Sequence, residues 1–371
     1  MVTSVPSRRL PVTVVTGFLG AGKTTLLRHL LLNSGQRLAV LVNEFGEVGI
    51  DGDLIAGCGF CPEEELEGRL VELTNGCLCC TVQDDFLPTM TQLLERADQL
   101  DGIVVETSGL ALPAPLVAAF GWPAIRARTR VQAVVTVVDG EALASGHVVG
   151  DAAAVEAQRQ ADPSLDHLTA LEDLFADQLA AADLVVVSRA DRLEAEVLAK
   201  VQQNLRDRLP AGTALLTLER GALDPAVLFG DGAVPPRPED RGSGHHHDPA
   251  HDHDDHHHDD HHHAHGPGDH HDHRHAAMAS LVWSADGVWS RPQLEAALHT
   301  LLEQVPVLRL KGRLLQRGKR LPLQIQAVGR RLECWYEGDA GSEPQDRLEL
   351  VVLVAQAHAE AAQHALSGLS Q

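Results

Sequence analysis

Cysteine and long apolar runs are both scarce in this chain of 371 residues. Six cysteines are too few for a disulfide scaffold, and five of them cluster between positions 58 and 80. These five are Cys58, Cys61, Cys77, Cys79 and Cys80. Their clustering favours a metal or redox site in a reducing compartment. No apolar run approaches the roughly 18 residues that cross a bilayer, so we expect a cytoplasmic protein.

Basic residues are also outnumbered, since 30 Lys and Arg stand against 52 Asp and Glu, a formal net charge of -22. An acidic surface repels phosphate groups and anionic lipids, so we expect neither nucleic acid nor a membrane as a partner. Sixteen of the 22 histidines fall within residues 245–275, interleaved with eight aspartates. This His/Asp tract carries a net -7, and the remainder still carries -15. Histidine is therefore a local feature, and metal cations are the expected ligands.

Short β-branched runs alternate with helical patterns in the first 232 residues. The predicted strands cover residues 12–16, 38–42, 103–105, 131–138 and 184–187, and the predicted helices cover 24–32, 87–100, 171–181 and 194–209. Continuous apolar strands separated by helices are typical of a mainly parallel sheet that is covered on both faces. The sequence therefore predicts an α/β domain over residues 1–232.

The composition changes twice after that domain. Residues 233–279 contain three early prolines and the His/Asp tract, which has too little apolar content to fold alone, so we expect a disordered linker. Residues 280–371 show helix patterns at 291–304 and 357–366, and strand patterns at 307–311, 321–328, 331–336 and 348–354. Strands grouped in this way predict a small α+β C-terminal domain.

A phosphate-binding loop is predicted at residues 17–24, where GFLGAGKT follows an apolar strand and precedes a helical run. The glycines let backbone N–H groups converge on phosphate oxygens, and the helix N-terminus favours negative charge. We expect the lysine to reach the β- and γ-phosphates and the following threonine hydroxyl to bind Mg²⁺. The predicted contact residues are Gly17, Gly20, Ala21, Gly22, Lys23, Thr24 and Thr25.

Two later strand ends are expected to complete the nucleotide site. Glu106, at the end of the strand pattern 103–105, is the predicted second acidic group for the metal, and Gly109 is a flexible backbone donor to the γ-phosphate. Lys23 and Glu106 are therefore the predicted catalytic residues. After the strand at 184–187, the sequence SRAD stands where GTPases place Asn-Lys-x-Asp. Asp191 keeps the carboxylate that pairs with guanine, while Ser188 and Arg189 replace the usual residues.

Three thiols lie within four positions, at Cys77, Cys79 and Cys80, after the turn-forming pair Asn-Gly. In an extended strand the first two would share a face and the third would point away, but a turn brings all three to one ion. Soft thiolates suit zinc, cobalt(II) or copper(I), and Glu44 is the predicted fourth ligand. Cys58 and Cys61 form a second pair that is consistent with a disulfide, a separate metal or an inert role.

Five segments together resemble the CobW-like group of metal-handling P-loop GTPases. They are GFLGAGKTT at 17–25, NEFG at 43–46, CLCC at 77–80, ETSGLALP at 106–113 and DQLAAAD at 177–183. The resemblance extends through residues 307–328 and covers most of the chain. It implies a GTPase that delivers cobalt(II) to a cobaltochelatase in cobalamin biosynthesis. Relatives in this family handle zinc or activate nitrile hydratase. A nucleotide-dependent homodimer is a further expectation.

The working hypothesis is that Mg²⁺ and GTP order the segments carrying Glu44 and the three cysteines, and that hydrolysis releases the metal to a client protein. The His/Asp tract would gather and buffer metal ions or serve as a solvated spacer. Two other classes remain open: a P-loop kinase that phosphorylates a small metabolite, and a metal storage protein with a vestigial nucleotide site. No residue of the sequence is assigned to position the attacking water, so we expect slow hydrolysis of GTP until a partner binds.

Overall fold

A computed structural model describes residues 9–42, 70–72, 86–161, 170–229, 277–338 and 346–369. The His/Asp tract, Glu44 and five of the six cysteines lie outside these residues. Among the described helices, none combines the length and the apolar character that crossing a membrane requires.

The first part of the chain forms a seven-stranded sheet in which every pairing is parallel. Its strands are β1 (Leu10–Thr16), β2 (Leu38–Val42), β3 (Leu70–Glu72), β4 (Gly102–Glu106), β5 (Thr129–Asp139), β6 (Leu184–Ser188) and β7 (Ala214–Thr217), in the spatial order β3-β2-β4-β1-β5-β6-β7. The strands β1, β4, β5 and β6 are buried along their whole length. The predicted mainly parallel sheet is thus confirmed.

Helices cover both faces of this sheet, because continuous apolar strands leave neither face suited to water. They are α1 (Lys23–Asn33), α2 (Leu87–Glu95), α3 (Pro113–Ala119), α4 (Pro123–Arg126), α5 (Gly140–Ala144), α6 (Ala152–Ala161), α7 (Leu171–Ala181), α8 (Ala195–Arg208) and α9 (Pro225–Leu228). On one face Leu26, Leu27 and Leu30 of α1 join the core. On the other face Met90 and Leu94 of α2 do so.

The second part forms a five-stranded antiparallel sheet. Its strands are β8 (Met278–Asp286), β9 (Val307–Leu315), β10 (Leu323–Val328), β11 (Arg331–Tyr336) and β12 (Arg347–Ala355), in the order β11-β10-β9-β12-β8. Helices α10 (Arg291–Gln304) and α11 (Ala359–Gly368) supply leucines to the same core as the strands. Ser290 starts α10 with a capping box, in which its side chain and that of Gln293 satisfy backbone N–H groups reciprocally.

The two sheets dock near the amino-terminal ends of β5 and β6, through arginines that come from both sheets. Arg331 donates from Nε to Oδ2 of Asp183 at 2.6 Å, and the same oxygen accepts the Val134 N–H at 2.8 Å. Burial raises the pKa of the Asp183 carboxyl, and the charge of Arg331 opposes that shift. Arg130 of β5 donates to Gln326 at 2.9 Å and lies 4.3 Å over the ring of Trp335.

Gly329 offers a direct test of this docking. Its φ is +53°, and a Cβ there would stand 1.7 Å from the carbonyl oxygen of Asp183. We expect Gly329→Ala to lower the free energy of unfolding by at least about 3 kcal/mol, because left-handed strain of about 1 kcal/mol adds to a clash with backbone. The matched control is Gly318→Ala, with φ +79° and nothing within 4 Å. Equal losses in urea unfolding would contradict the docking argument.

Candidate nucleotide and metal site

The loop between β1 and α1 has the shape of a phosphate cradle. It leaves the buried strand β1 after Thr16 and enters α1 at Lys23. Gly17, Gly20 and Gly22 all have positive φ, and a Cβ on Gly17 would stand 2.2 Å from the carbonyl oxygen of Val137. Only glycine fits where the loop passes this close to β5. The loop leads into the N-terminus of α1, where backbone N–H groups favour an anion.

The three polar side chains predicted around the phosphate lie together. The Lys23 Nζ is 3.7 Å from Oε1 of Glu106, and both side chains are less than a tenth exposed. The Thr24 hydroxyl donates to the same carboxylate oxygen at 3.4 Å. Lys23 also donates to the carbonyl oxygen of Phe18 at 3.3 Å. One ammonium group therefore links the cradle to the end of β4.

The Thr24 and Glu106 oxygens fit a magnesium ion. Mg²⁺ takes oxygen ligands at about 2.1 Å in an octahedron, which puts neighbouring ligands about 3.0 Å apart. The observed 3.4 Å separation is close to that value. These two residues would hold the ion beside the β- and γ-phosphates, where it would neutralise developing charge.

The segment after β4 is tied to β1 and to the cradle. Thr107 donates its N–H to the Val15 carbonyl oxygen and its hydroxyl to the Thr16 hydroxyl, both at 2.9 Å. Gly109 lies against the cradle, since a Cβ there would stand 2.6 Å from the backbone nitrogen of Leu19. Gly109, the predicted donor to a γ-phosphate, therefore lies beside the cradle.

The predicted base-binding residues divide into two groups. Asp191 lies with an exposed side chain in a single 3-10 turn after β6. The Ser188 hydroxyl, in contrast, is buried and donates to the Val138 carbonyl oxygen at 3.1 Å. Arg189 has a φ of 54° and donates to the Gly20 carbonyl oxygen at 2.8 Å. Arg189, a predicted base contact, thus binds the backbone of the cradle.

Sequence reasoning missed two neighbours of this site. Asp139, at the end of β5, forms an ion pair with Arg189 and caps α5 by accepting the N–H groups of Glu141 and Ala142. An acidic residue that ends an apolar strand is the same signal that identified Glu106. The turn after β7 also reaches the site: a Cβ on Gly221 would stand 2.6 Å from the Thr25 methyl group.

The predicted thiolate ligands, with Glu44, are outside the described residues, but the strands that precede them are inside. Val42, the last residue of β2, pairs in register with Glu72 at the end of β3 and with Glu106 at the end of β4. In the sequence, Glu44 follows β2 by two positions and Cys77 follows β3 by five. Both segments therefore start from the edge of the sheet that is formed by the carboxyl ends of its strands, where Glu106 also lies.

Cys334 is the one cysteine in the described part of the chain, and its chemistry differs from that of a metal ligand. It is half-buried in β11, where burial and the nearby Glu295 carboxylate raise the pKa of its thiol to about 12. A thiol with that pKa stays protonated at neutral pH. Within the described ranges, no three His, Cys, Asp or Glu residues are grouped to hold a metal ion.

Two family models match this chain, and together they span both sheets. The model described as CobW/HypB/UreG, nucleotide-binding domain, matches residues 11–215. The chain belongs to the CobW/HypB/UreG family. The model described as Cobalamin synthesis protein cobW C-terminal domain matches residues 278–370. The family resemblance predicted from the motifs is confirmed, and this CobW/HypB/UreG chain is a P-loop GTPase.

Individual relatives of this CobW/HypB/UreG chain carry names that refer to zinc. The chain is 46% identical over 347 residues to a "Zinc chaperone CobW" of Pseudomonas aeruginosa, covering 93% of this chain and 87% of that protein. It is 41% identical over 349 residues to a protein of the same name from a Sinorhizobium species, covering 93% and 92%. A "Zinc-regulated GTPase metalloprotein activator 1" of Schizosaccharomyces pombe is 34% identical over 201 residues, 53% of this chain and 43% of that protein.

Proposed function

We propose that this GTPase is a metal chaperone whose thiolate site is completed when GTP is bound and dismantled by hydrolysis. The carrying observation is the register at the sheet edge, where Val42 pairs with both Glu72 and Glu106. A segment that leaves β2 at this edge starts beside the predicted magnesium ligand, and one that leaves β3 starts one strand further away. A change at the γ-phosphate can therefore alter the segments that contain Glu44, Cys77, Cys79 and Cys80.

The proposed cargo is zinc(II). Two relatives that each align with 93% of this chain are named zinc chaperones. Thiolate ligands also favour zinc over cobalt(II) in the affinity series of divalent metals. Cys77, Cys79, Cys80 and Glu44 would supply the four ligands of a tetrahedral zinc site.

Cobalt(II) delivery to a cobaltochelatase is the second candidate, and the name of the C-terminal family model, which refers to cobalamin synthesis, favours it. In either case the protein would act in the cytoplasm on a metal-receiving client, and a nucleotide-dependent homodimer would be one way to present the metal. Membership of a GTPase family argues against a metabolite kinase. The close grouping of Lys23, Thr24 and Glu106 argues against a storage protein with a vestigial nucleotide site.

A competition experiment tests this function. Protein loaded with a non-hydrolysable GTP analogue or with GDP would be titrated with zinc(II), and in parallel with cobalt(II), against a chromophoric chelator of known affinity. We expect the GTP form to bind its metal about 100-fold more tightly, which corresponds to about 2.7 kcal/mol of coupling.

Thermodynamic reciprocity supplies the internal control. The metal must tighten binding of the GTP analogue by the same factor of about 100. The metal with the larger ratio between the two nucleotide states is the proposed cargo, so a larger ratio for cobalt(II) would replace zinc(II) with the second candidate. Equal metal affinity in both nucleotide states, for both metals, would reject the chaperone mechanism.

A further inference from the structure

Helix α7 contacts the candidate nucleotide site at two points on one face. Nε2 of Gln178 donates to the Gly109 carbonyl oxygen at 3.3 Å. Phe175, three residues earlier and thus on the same side of the helix, stacks on Phe18 of the cradle with ring centroids 6.1 Å apart. One helix face therefore touches both the phosphate cradle and the segment that follows β4.

The C-terminal end of α7, just beyond Gln178, is held by the C-terminal sheet. Arg330 donates to the carbonyl oxygens of Ala180 and Ala182, the latter from Nε at 3.2 Å. Arg331 binds the adjacent Asp183 carboxylate. Carbonyl groups at a helix C-terminus lack partners within the helix, and cationic side chains bind there favourably. The position of the end of α7 thus depends on the turn between β10 and β11.

The Gln178 side chain is fully buried at the centre of this connection. The Gln178 backbone oxygen accepts the Thr136 hydroxyl at 3.0 Å, which anchors α7 to β5. Within the described part of the chain, Oε1 of Gln178 accepts no hydrogen bond. A buried acceptor without a donor costs free energy, so we look for a role of Gln178 that compensates for this cost. The contact that the amide does make is with Gly109.

We propose that Gln178 is a positioning residue for GTP hydrolysis, which holds the Gly109 backbone in place through its carbonyl oxygen. Helix α7 would link this backbone to Arg330, which binds the C-terminal end of the helix. The inference rests on the proposed GTP-dependent function and on the predicted contact between Gly109 and the γ-phosphate. Because GDP has no γ-phosphate, a misplaced Gly109 weakens binding of GTP and not of GDP. The C-terminal sheet, which moves with Arg330, would then sense and tune the nucleotide state.

The first test replaces Gln178 with methionine, which keeps the volume and removes the donor. We expect kcat to fall about 10-fold, because the transition state loses stabilisation. The ratio of GTP-analogue to GDP affinity should fall by a similar factor. GDP affinity should stay within twofold of the parent. Thr136→Val is the matched control, because it removes a buried hydrogen bond to the same residue without touching Gly109. It should lower the melting temperature by about 2–4 °C and leave kcat within twofold.

A second variant and a double variant complete the test. Gln178→Asn keeps the amide but withdraws it by one carbon, so it should show the same kcat loss. It replaces Gln178→Met in the test if that variant does not fold. Arg330→Gln should lower kcat about threefold alone and not at all in the Gln178→Met background, where two independent sites would instead give additive effects. Unchanged kcat in the Gln178 variants would overturn the positioning role, and additivity or a silent Arg330→Gln would overturn the link. All assays omit zinc and cobalt, so failure of the metal-chaperone proposal would leave their outcome unaffected.

Discussion

Replacing Lys23 with methionine is expected to lower kcat/KM for GTP by at least about 100-fold. The ammonium group lies between the cradle and Glu106 and is buried, so phosphate binding would use it as a fixed positive charge in a site with little water. The same change should destabilise the nucleotide-free protein by up to about 3 kcal/mol, because the buried Glu106 carboxylate loses its neighbouring cation. Steady-state GTP turnover and urea unfolding measure the two effects separately.

A double variant separates the structural effect of Lys23 from its catalytic effect. Lys23→Met combined with Glu106→Gln should recover most of the lost stability, since no unpaired charge stays buried, while GTP turnover stays lost. Lys200→Met is the control for removing a lysine from an ion pair, because Lys200 and Glu196 form an exposed pair worth little energy. Full turnover in Lys23→Met would mean that the loop does not bind phosphate through this residue.

The phosphate cradle and Glu106 could be predicted because their sequence signals are local. A strand, a glycine-rich loop and a helix occupy consecutive residues, and Glu106 directly follows an apolar run, so neither needs knowledge of which strands are neighbours. Asp139 carries the same local signal and was overlooked. Arg189 was predicted as a base contact, but its left-handed backbone and its bond to Gly20 depend on β6 lying two strands from β1, which no local pattern reports.

Features that depend on long-range contact were not predictable. Strands β3 and β7 have three and four residues, too few for a periodic pattern. Strand β8 directly follows the His/Asp tract and is an edge strand that alternates between partly buried and exposed positions, so its apolar content is diluted. Gly329 and Asp183 are 146 positions apart, and only the folded chain shows that a backbone oxygen of one occupies the space of a side chain at the other.

Replacing Cys77, Cys79 and Cys80 together with serine is expected to weaken zinc(II) binding to the nucleotide-dependent site by at least about 1000-fold, or about 4 kcal/mol. Hydroxyl groups are poor substitutes for thiolates, which bind zinc as charged, soft ligands. The variant should also lose the difference in metal affinity between the GTP and GDP forms. GTP binding in the absence of metal should be retained, because Lys23, Thr24 and Glu106 are unchanged. Competition against a chromophoric chelator measures both losses.

Two matched variants decide whether the loss belongs to the thiolate site. Cys334→Ser makes the same atomic change at a thiol whose pKa is raised to about 12, so it should leave zinc affinity within twofold. Deleting residues 245–275 removes 16 imidazoles, which should lower the number of zinc ions bound while the nucleotide-dependent difference persists. If the deletion abolished that difference and the triple serine variant kept it, the tract would be the switched site. Imidazole-bound zinc should in addition be released at a pH below about 6.5, because protons then compete with the metal for the imidazole nitrogens.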